Sequence, residues 1–229
     1  KLEKLRRSFI ANISHELRTP VTVIRGSLEA LNDKVVTDKE EVEQYYRQML
    51  KESLFLQRLI NDLLDLSRLQ NTEKENINLC DVVQDAARAS KQLGQKKGVH
   101  VDVKLDRNVY LMEGDYGRLR QMLMIFLDNS IKFSHEGGTV ELRLLGDRLT
   151  VTDHGSGVKQ EDLPYVFERF YKTRGEANKN GSGLGLAIAR EIALRHNIKV
   201  SMESVPDEET AVIMILPPAG EEAENELRM

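Results

Sequence analysis

The sequence has 229 residues, with 33 Lys and Arg against 37 Asp and Glu, and this length suits one or two domains with a substantial core. No basic stripe interleaved with aromatic residues occurs, so the composition does not favour nucleic acid as a partner. The single cysteine, Cys80, excludes an internal disulfide, and the longest wholly apolar run, 122–127, is too short to cross a bilayer. We therefore expect a soluble piece of a longer protein that works in a reducing compartment.

Residues 1–70 predict two long amphipathic helices. Apolar residues recur at spacings of three and four, as Leu2, Leu5, Phe9, Ile13, Leu17, Val21, Ile24, Leu28 and Leu31 in the first helix and Val42, Tyr45, Met49, Leu56, Leu59, Leu63 and Leu66 in the second. Asp38 is the predicted N-cap of the second helix, after a turn over 32–37. One hairpin cannot bury both stripes, so we expect two copies to pair into a four-helix bundle, a homodimer. A purely structural coiled coil has the same periodicity.

The first helix contains a histidine with unusual neighbours, in the segment HELRTP at 15–20. A neutral imidazole has one ring nitrogen with a free lone pair, so His15 is a potential nucleophile. The Glu16 carboxylate is within reach of the second nitrogen, and Thr19 lies four residues on, on the same helical face. Pro20 lacks an N–H and crowds the Glu16 carbonyl, so we expect the helix to bend there. Taken alone, a helical His beside Glu is also typical of a solvated polar face.

After a polar linker the pattern changes to alternating short elements, which predicts an α+β layer fold with helices on one face of a largely antiparallel sheet. Strands are predicted over 77–79, 99–105, 109–112, 140–145, 149–152, 198–203 and 211–216. Helices are predicted over 81–96, 116–134 and 184–196. The acidic residues at the C-terminus are expected to fray.

Two polar clusters interrupt core patterns in this second unit. The mostly apolar helix at 123–133 is broken by Asn129, whose amide oxygen is a possible Mg²⁺ ligand, with Lys132 one turn further on to meet phosphate oxygens. A strand ends at Asp153, followed by Gly155 and Gly157. A buried carboxylate there can accept a hydrogen bond from an exocyclic amine such as that of adenine. Each cluster alone is also compatible with an ordinary surface turn.

Two further clusters follow. Residues 167–172, FERFYK, interleave aromatic anchors with cations ahead of a polar run, 173–180, that we expect to form a mobile lid over a pocket. Residues 181–186, GSGLGL, open a helix, and glycine-rich backbone at a helix N-terminus offers free N–H groups to phosphate. No GxxxxGK[ST] motif occurs, so a nucleotide is not held by a P-loop.

These five stretches, in this order and spacing, resemble the sensor histidine kinases of two-component signalling over nearly the whole chain. The resemblance implies a dimerisation and phosphotransfer domain at 1–70, a linker at 71–76, an α/β sandwich ATP-binding domain of the histidine kinase, gyrase and chaperone type at 77–217, and an acidic tail at 218–229. It implies that ATP and Mg²⁺ bind in the second domain, that the γ-phosphoryl group passes to His15, and that a response-regulator aspartate then takes it.

Individual roles follow from the same resemblance. Glu16 and Thr19 match the residues used for proton removal and for orienting water when the phosphorylated regulator is dephosphorylated. Asn129 matches the magnesium ligand and Asp153 the adenine-recognising acid. The other matched nucleotide-binding positions are Lys132, Phe133, Gly155, Gly157, Arg169, Tyr171, Lys172, Gly181, Gly183, Leu184, Gly185 and Leu186. Ile125 and His154 depart from the pattern, since many relatives carry Asn at both positions.

Two alternatives stay open at this point. ATPases of the gyrase and chaperone type resemble one another in placing a Glu four residues before the Asn, whereas this chain has Ile125, which cannot take a proton from water. A non-catalytic dimeric scaffold is the other alternative.

By resemblance, the chain is expected to be the cytoplasmic part of a membrane-anchored sensor. The remaining histidines, His100, His135, His154 and His196, lack zinc-ligand spacing and are expected at the surface or behind the site.

Overall fold

The computed structural model describes residues 2–69, 73–173 and 181–220. Two long helices, α1 (Leu2–Asn32) and α2 (Lys39–Arg68), form the predicted hairpin. Asp38 caps α2 as predicted, because its carboxylate accepts hydrogen bonds from the backbone N–H groups of Glu40 and Glu41 at 2.9 and 3.1 Å. Helix α1 continues through Pro20 without interruption, and the expected bend there stays a prediction.

The hairpin leaves much of its apolar surface exposed in a single chain. Exposed large apolar side chains on the two helices are Ile10, Val21, Leu28, Tyr46, Leu50, Leu54, Ile60 and Leu64. No helix in the described parts of the chain combines the length and the apolar content that a membrane span needs.

The second unit has the predicted alternation of strands and helices. Its helices are α3 (Leu79–Lys97), α4 (Tyr116–Phe133) and α5 (Gly185–Arg195), with a short 3-10 helix at Leu163–Tyr165. Its strands are β1 (Glu75–Asn78), β2 (His100–Leu105), β3 (Leu111–Gly114), β4 (Thr139–Leu145), β5 (Arg148–Asp153), β6 (Lys199–Val205) and β7 (Glu209–Ile215).

Five of these strands form one mixed sheet in the order β2-β4-β5-β7-β6. Strand β2 pairs parallel to β4, while the other neighbours in this sheet are antiparallel, so the expected largely antiparallel sheet is confirmed. Helices α3, α4 and α5 pack in a layer over it, with Leu123 and Phe126 of α4 fully buried in the shared core. This is the α/β sandwich that the sequence indicates.

The first strand lies partly where the sequence predicts a linker. Glu75 and Asn76 pair with Gly114 and Glu113 in a separate two-stranded sheet, β1-β3. Strand β1 is polar and half of it is exposed, so its sequence lacks the apolar alternation that predicts a strand. The lid residues at 174–180, the linker residues at 70–72 and the tail at 221–229 lie outside the described residues, whereas the Gly220 N–H still donates to the Leu111 carbonyl at 2.9 Å.

His196 is buried, which excludes the surface as its position and leaves the other expected placement, behind the site, as a prediction. It is 2% exposed, its Nε2 accepts from the Asp115 N–H at 3.0 Å, and its Nδ1 lies 2.7 Å from the Ile192 carbonyl oxygen. This pairing fixes a neutral ring with the proton on Nδ1. Burial is the main cause that lowers the pKa of His196.

Replacement of His196 by Gln should reduce the sensitivity of the fold to acid. Below the ordinary histidine pKa of ~6.5 the unfolded chain binds a proton that the folded chain resists, so stability falls as the pH falls, by up to about 1.4 kcal/mol per pH unit. We expect wild type to lose more melting temperature than His196→Gln between neutral pH and about pH 5.5. Equal losses in thermal melts of the two proteins would contradict this assignment.

Candidate active site

A cavity of about 910 Å³, within the size range of small-molecule sites, is lined mainly by the second unit. Its main walls are the C-terminal half of α4, the end of β5, the segment after it, and the glycine-rich loop that precedes α5. Most of the nucleotide positions predicted from the sequence line it: Asn129, Lys132, Phe133, Asp153, Gly157, Tyr171, Lys172, Gly181, Gly183, Gly185 and Leu186. The fold therefore brings three distant segments into one concave site.

Helix α4 presents an amide, a cation and an aromatic ring to the cavity. Asn129 and Lys132 lie one turn apart on this helix, and the Lys132 Nζ lies 5.0 Å from the centre of the Phe133 ring. Burial lowers the pKa of Lys132, and the Asp128 carboxylate opposes that shift. A partly desolvated lysine in this position can meet phosphate oxygens.

Asp153 is the buried acid of the site, and only 3% of it is exposed. The Gly155 N–H donates to its Oδ1 at 3.2 Å, and the Ser130 side chain hydrogen-bonds it from α4. Burial raises the pKa of Asp153, while both hydrogen bonds oppose the increase. The carboxylate is thus held in place with acceptor capacity left for a ligand amine. Sequence reasoning gave no role to Ser130, because a serine within an apolar helix carries no local signal.

Gly155 and Leu184 support the site without lining the cavity in the described part of the chain. A Cβ on Gly155 would lie 2.1 Å from the Phe133 carbonyl oxygen, so a side chain there would push α4 away from the turn after β5. Leu184 is fully buried in the core. These two residues therefore pack behind the cavity surface, and their predicted contact with nucleotide stays a prediction.

The glycine-rich loop is locked to the aromatic segment before it. Gly183 has a φ of +72°, and an added Cβ would lie 2.8 Å from the Phe170 Cα. The Phe170 N–H donates to the Gly183 carbonyl at 2.7 Å. Glycine is therefore required at Gly183 both for its backbone conformation and for this close approach.

Ile125 and His154, the two positions that depart from the family pattern, each make contacts outside the cavity. The Ile125 Cγ2 lies 3.6 Å from the place of a Cβ on Gly185, so Ile125 supports the start of α5. His154 is exposed, with Nδ1 3.9 Å from the Glu209 Oε2. Neither residue lines the cavity in the described segments.

His15 is exposed on α1, outside the lining of the cavity as described. Thr19 donates from its hydroxyl to the His15 carbonyl at 3.3 Å. Glu16 points toward the second unit, where its Oε2 forms an ion pair with the Lys172 Nζ at 2.7 Å, both side chains being 26% exposed. Two residues that the sequence assigned to different roles, Glu16 and Lys172, are thus direct partners.

Arg169 also contacts α1 instead of lining the cavity in the described residues. Its guanidinium carbon lies 4.9 Å from the centre of the Phe9 ring, and the Phe170 ring centre lies 5.8 Å from that of Phe9. The predicted role of Arg169 at the nucleotide has no support in this placement.

Helix α2 reaches the cavity as well, which the sequence did not indicate. Arg58 and Asp62 line it, and the Ser182 hydroxyl donates to the Asp62 Oδ2 at 2.5 Å while accepting from the Leu184 N–H at 3.1 Å. Burial is the largest cause that raises the pKa of Asp62. Asp65, one turn on, forms an ion pair with Arg118 at 3.1 Å. The apolar periodicity of α2 predicted a dimer helix and carried no sign of these contacts.

The described residues contain no cluster of three or more His, Cys, Asp or Glu that would form an all-protein metal site. Magnesium usually keeps several waters and binds through one or two protein groups plus substrate phosphates. The uncharged Asn129 amide on the cavity wall fits that mode, in which the phosphates supply the negative charge.

Comparisons with known proteins agree with this geometry. Residues 5–72 match the His Kinase A (phospho-acceptor) domain, and residues 114–220 match the histidine kinase-, DNA gyrase B- and HSP90-like ATPase domain. The phosphate regulon sensor protein PhoR of Pseudomonas aeruginosa is 34% identical over 220 residues, 90% of this chain and 48% of PhoR. The chain belongs to the sensor histidine kinases of two-component systems.

Other sensor histidine kinases are similar to the same extent. BaeS of Escherichia coli is 33% identical over 227 residues, 95% of this chain and 48% of BaeS, so the chain spans about half the length of these relatives. Among solved structures, the kinase AdeS of Acinetobacter baumannii matches with a TM-score of 0.66 and 23% identity, over 88% of this chain and 96% of AdeS. ThkA in complex with the response regulator TrrA matches with a TM-score of 0.75 and 22% identity, over 95% of this chain and 64% of ThkA. At 23% and 22% sequence identity, these two structural similarities are evidence for the fold alone.

Neutralising Asp62 should strengthen nucleotide binding to this sensor histidine kinase. Its carboxylate lies at the loop before α5, where phosphate would bind, and Asn keeps an acceptor for Ser182 while removing the repulsive charge. We expect Asp62→Asn to bind Mg·ATP roughly threefold to tenfold more tightly in calorimetric titrations. Asp65→Asn is the matched control. An equal gain in both variants would instead implicate loosening of the contact between the two units.

Proposed function

We propose that this chain is the catalytic core of an ATP-dependent histidine kinase that transfers the γ-phosphoryl group of ATP to His15 and then to an aspartate of a response-regulator receiver domain. One observation carries the proposal: the Lys172 on the wall of the nucleotide cavity is bonded to Glu16, the residue next to the exposed His15. The acceptor helix is thus docked at the mouth of the donor site.

The residues of the chain divide the reaction between the two units. Asp153 would accept a hydrogen bond from the exocyclic amine of adenine. Lys132 and the backbone N–H groups before α5 would bind the phosphates. Asn129 would hold Mg²⁺, which when bound offsets phosphate charge. One ring nitrogen of His15 attacks the γ-phosphorus as the bond to ADP breaks, and Glu16 accepts the proton that leaves the other nitrogen. In this step Glu16 would exchange its contact with Lys172 for the His15 ring.

The exposed apolar side chains of the hairpin support a homodimer. Leu50 and Ile10 are more than half exposed, at 61% and 53%, in a single chain. Pairing of two hairpins would bury such residues in a four-helix bundle, and apolar burial is the usual driving force for such assembly. We propose this bundle as the stalk that presents His15. The proposal places this portion of the sensor in the cytoplasm, where ATP and receiver domains are present.

Labelling with γ-³²P ATP and Mg²⁺ tests the proposed kinase reaction. Wild type should acquire label that is lost in acid and retained in base, as expected for a phosphoramidate, whereas His15→Gln should lose at least about a hundredfold of it. His135→Gln, at an exposed position outside the site, is the control and should label normally. Free phosphate without labelled protein would indicate an ATPase, and neither product would indicate a scaffold.

We also propose phosphatase activity toward the phosphorylated regulator, with Thr19 orienting the attacking water. A receiver domain that accepts phosphate from the wild-type chain is the substrate. Thr19→Ala should slow its dephosphorylation by about tenfold. Thr22→Ala is the matched control, because Thr22 lies one turn on in the same helix and likewise donates to a backbone carbonyl, that of Arg18, at 2.9 Å. Unchanged dephosphorylation in Thr19→Ala would end this part of the proposal.

A further inference from the structure

The end of α4 is held by a lysine from the neighbouring helix. Lys97, in the last turn of α3, donates from its Nζ to the Ile131 carbonyl at 2.7 Å and to the Ser134 carbonyl at 3.1 Å, and it also contacts the Lys132 carbonyl. An ammonium group has three donors, and three carbonyl oxygens at the C-terminus of α4 take them. These carbonyls also form the negative end of the helix dipole, which a cation stabilises.

The C-terminal end of α4 contacts the turn after β5, next to Asp153, where the adenine base would bind. The Phe133 carbonyl accepts from the Ser156 N–H at 3.3 Å and faces Gly155 so closely that a Cβ there would lie 2.1 Å away. The Ser134 hydroxyl donates to the Ser130 carbonyl at 2.7 Å, and the Ser130 side chain in turn hydrogen-bonds Asp153. A shift of the α4 terminus would therefore move the groups that orient the buried acid.

The charges around Lys97 are consistent with this placement. Burial is the main cause that lowers its pKa, and the carboxylates of Asp153 and Asp128 oppose the shift. Lys97 itself does not line the cavity as described, so its influence passes through α4 and the turn after β5.

We infer that Lys97 is a positioning residue for base recognition. Its three hydrogen bonds to the α4 terminus set the distance between α4 and the turn after β5, which contains Gly155, and thereby orient Asp153 toward the exocyclic amine of adenine. The inference rests on the proposed binding of ATP in this cavity. A neutral side chain would leave the three carbonyls to mobile water, and the acid would lose its fixed alignment.

The ratio of affinities for ATP and ITP isolates this effect. The two nucleotides share the triphosphate, but in ITP a carbonyl oxygen replaces the exocyclic amine, so phosphate contacts cancel in the ratio. Partial unfolding also cancels, because it removes binding sites for both nucleotides equally. We expect wild type to prefer Mg·ATP over Mg·ITP by about tenfold or more, and Lys97→Met to lose most of this preference, mainly through weaker ATP binding.

Lys96→Met is the matched control, since Lys96 is the exposed preceding residue of α3, and it should keep the wild-type ratio. Lys97→Arg, which keeps the cation and several donors, should restore part of the preference. If Lys97→Met does not fold, Lys97→Gln carries the same test. A wild-type protein that binds no ATP would contradict the proposed function itself. A wild-type protein that does not discriminate, or a neutral variant that retains the full ratio, would overturn the role of Lys97 alone.

Discussion

The Glu16–Lys172 ion pair joins the two units of the proposed reaction. One partner belongs to the helix that carries His15 and the other to the wall of the cavity, and the aromatic contact between Phe9 and Phe170 lies on the same interface. In this arrangement one oxygen of the proposed base, Glu16, is paired with a cation, so the proposed proton transfer from His15 requires the carboxylate to exchange this partner for the ring.

The energies involved allow this contact to be exchanged. Ion pairs of partly exposed side chains contribute about 0.2–1 kcal/mol each, whereas nucleotide binding at millimolar to micromolar affinity releases roughly 4–8 kcal/mol. In the proposed reaction, the free energy of ATP binding is therefore large enough to break the hydrogen bond between Asp62 and Ser182 and the ion pair between Glu16 and Lys172. The phosphates would then contact Ser182 and Lys172.

The sequence predicted most elements because these depend on local patterns, and most of the nucleotide positions that it predicted lie on the cavity wall. Periodicity located the helices, and Asp153 was recognisable as an acid between a strand and a glycine turn. The residues that were missed act across long separations: Asp62 meets Ser182 over 120 residues, and Lys97 meets Ser134 over 37. No local spacing encodes such pairs, since they arise only when helices pack.

Arg169 and Leu184 lie within the predicted nucleotide motifs, but the Arg169 side chain packs on Phe9 and the Leu184 side chain is fully buried. Their contact with nucleotide stays a prediction. A motif fixes a backbone path, whereas tertiary packing decides which side chains face the cavity. His196 illustrates the same point, because its burial depends on backbone partners at Asp115 and Ile192 that its own neighbourhood in the sequence does not indicate.

The most direct test of the central claim is to locate the phosphoryl group on the chain. Tandem mass spectrometry of peptides prepared at neutral to basic pH, after incubation with ATP and Mg²⁺, should find one phosphoryl group on the imidazole of His15. Phosphate on any other residue, or accumulation of ADP with His15 unmodified, would contradict the account.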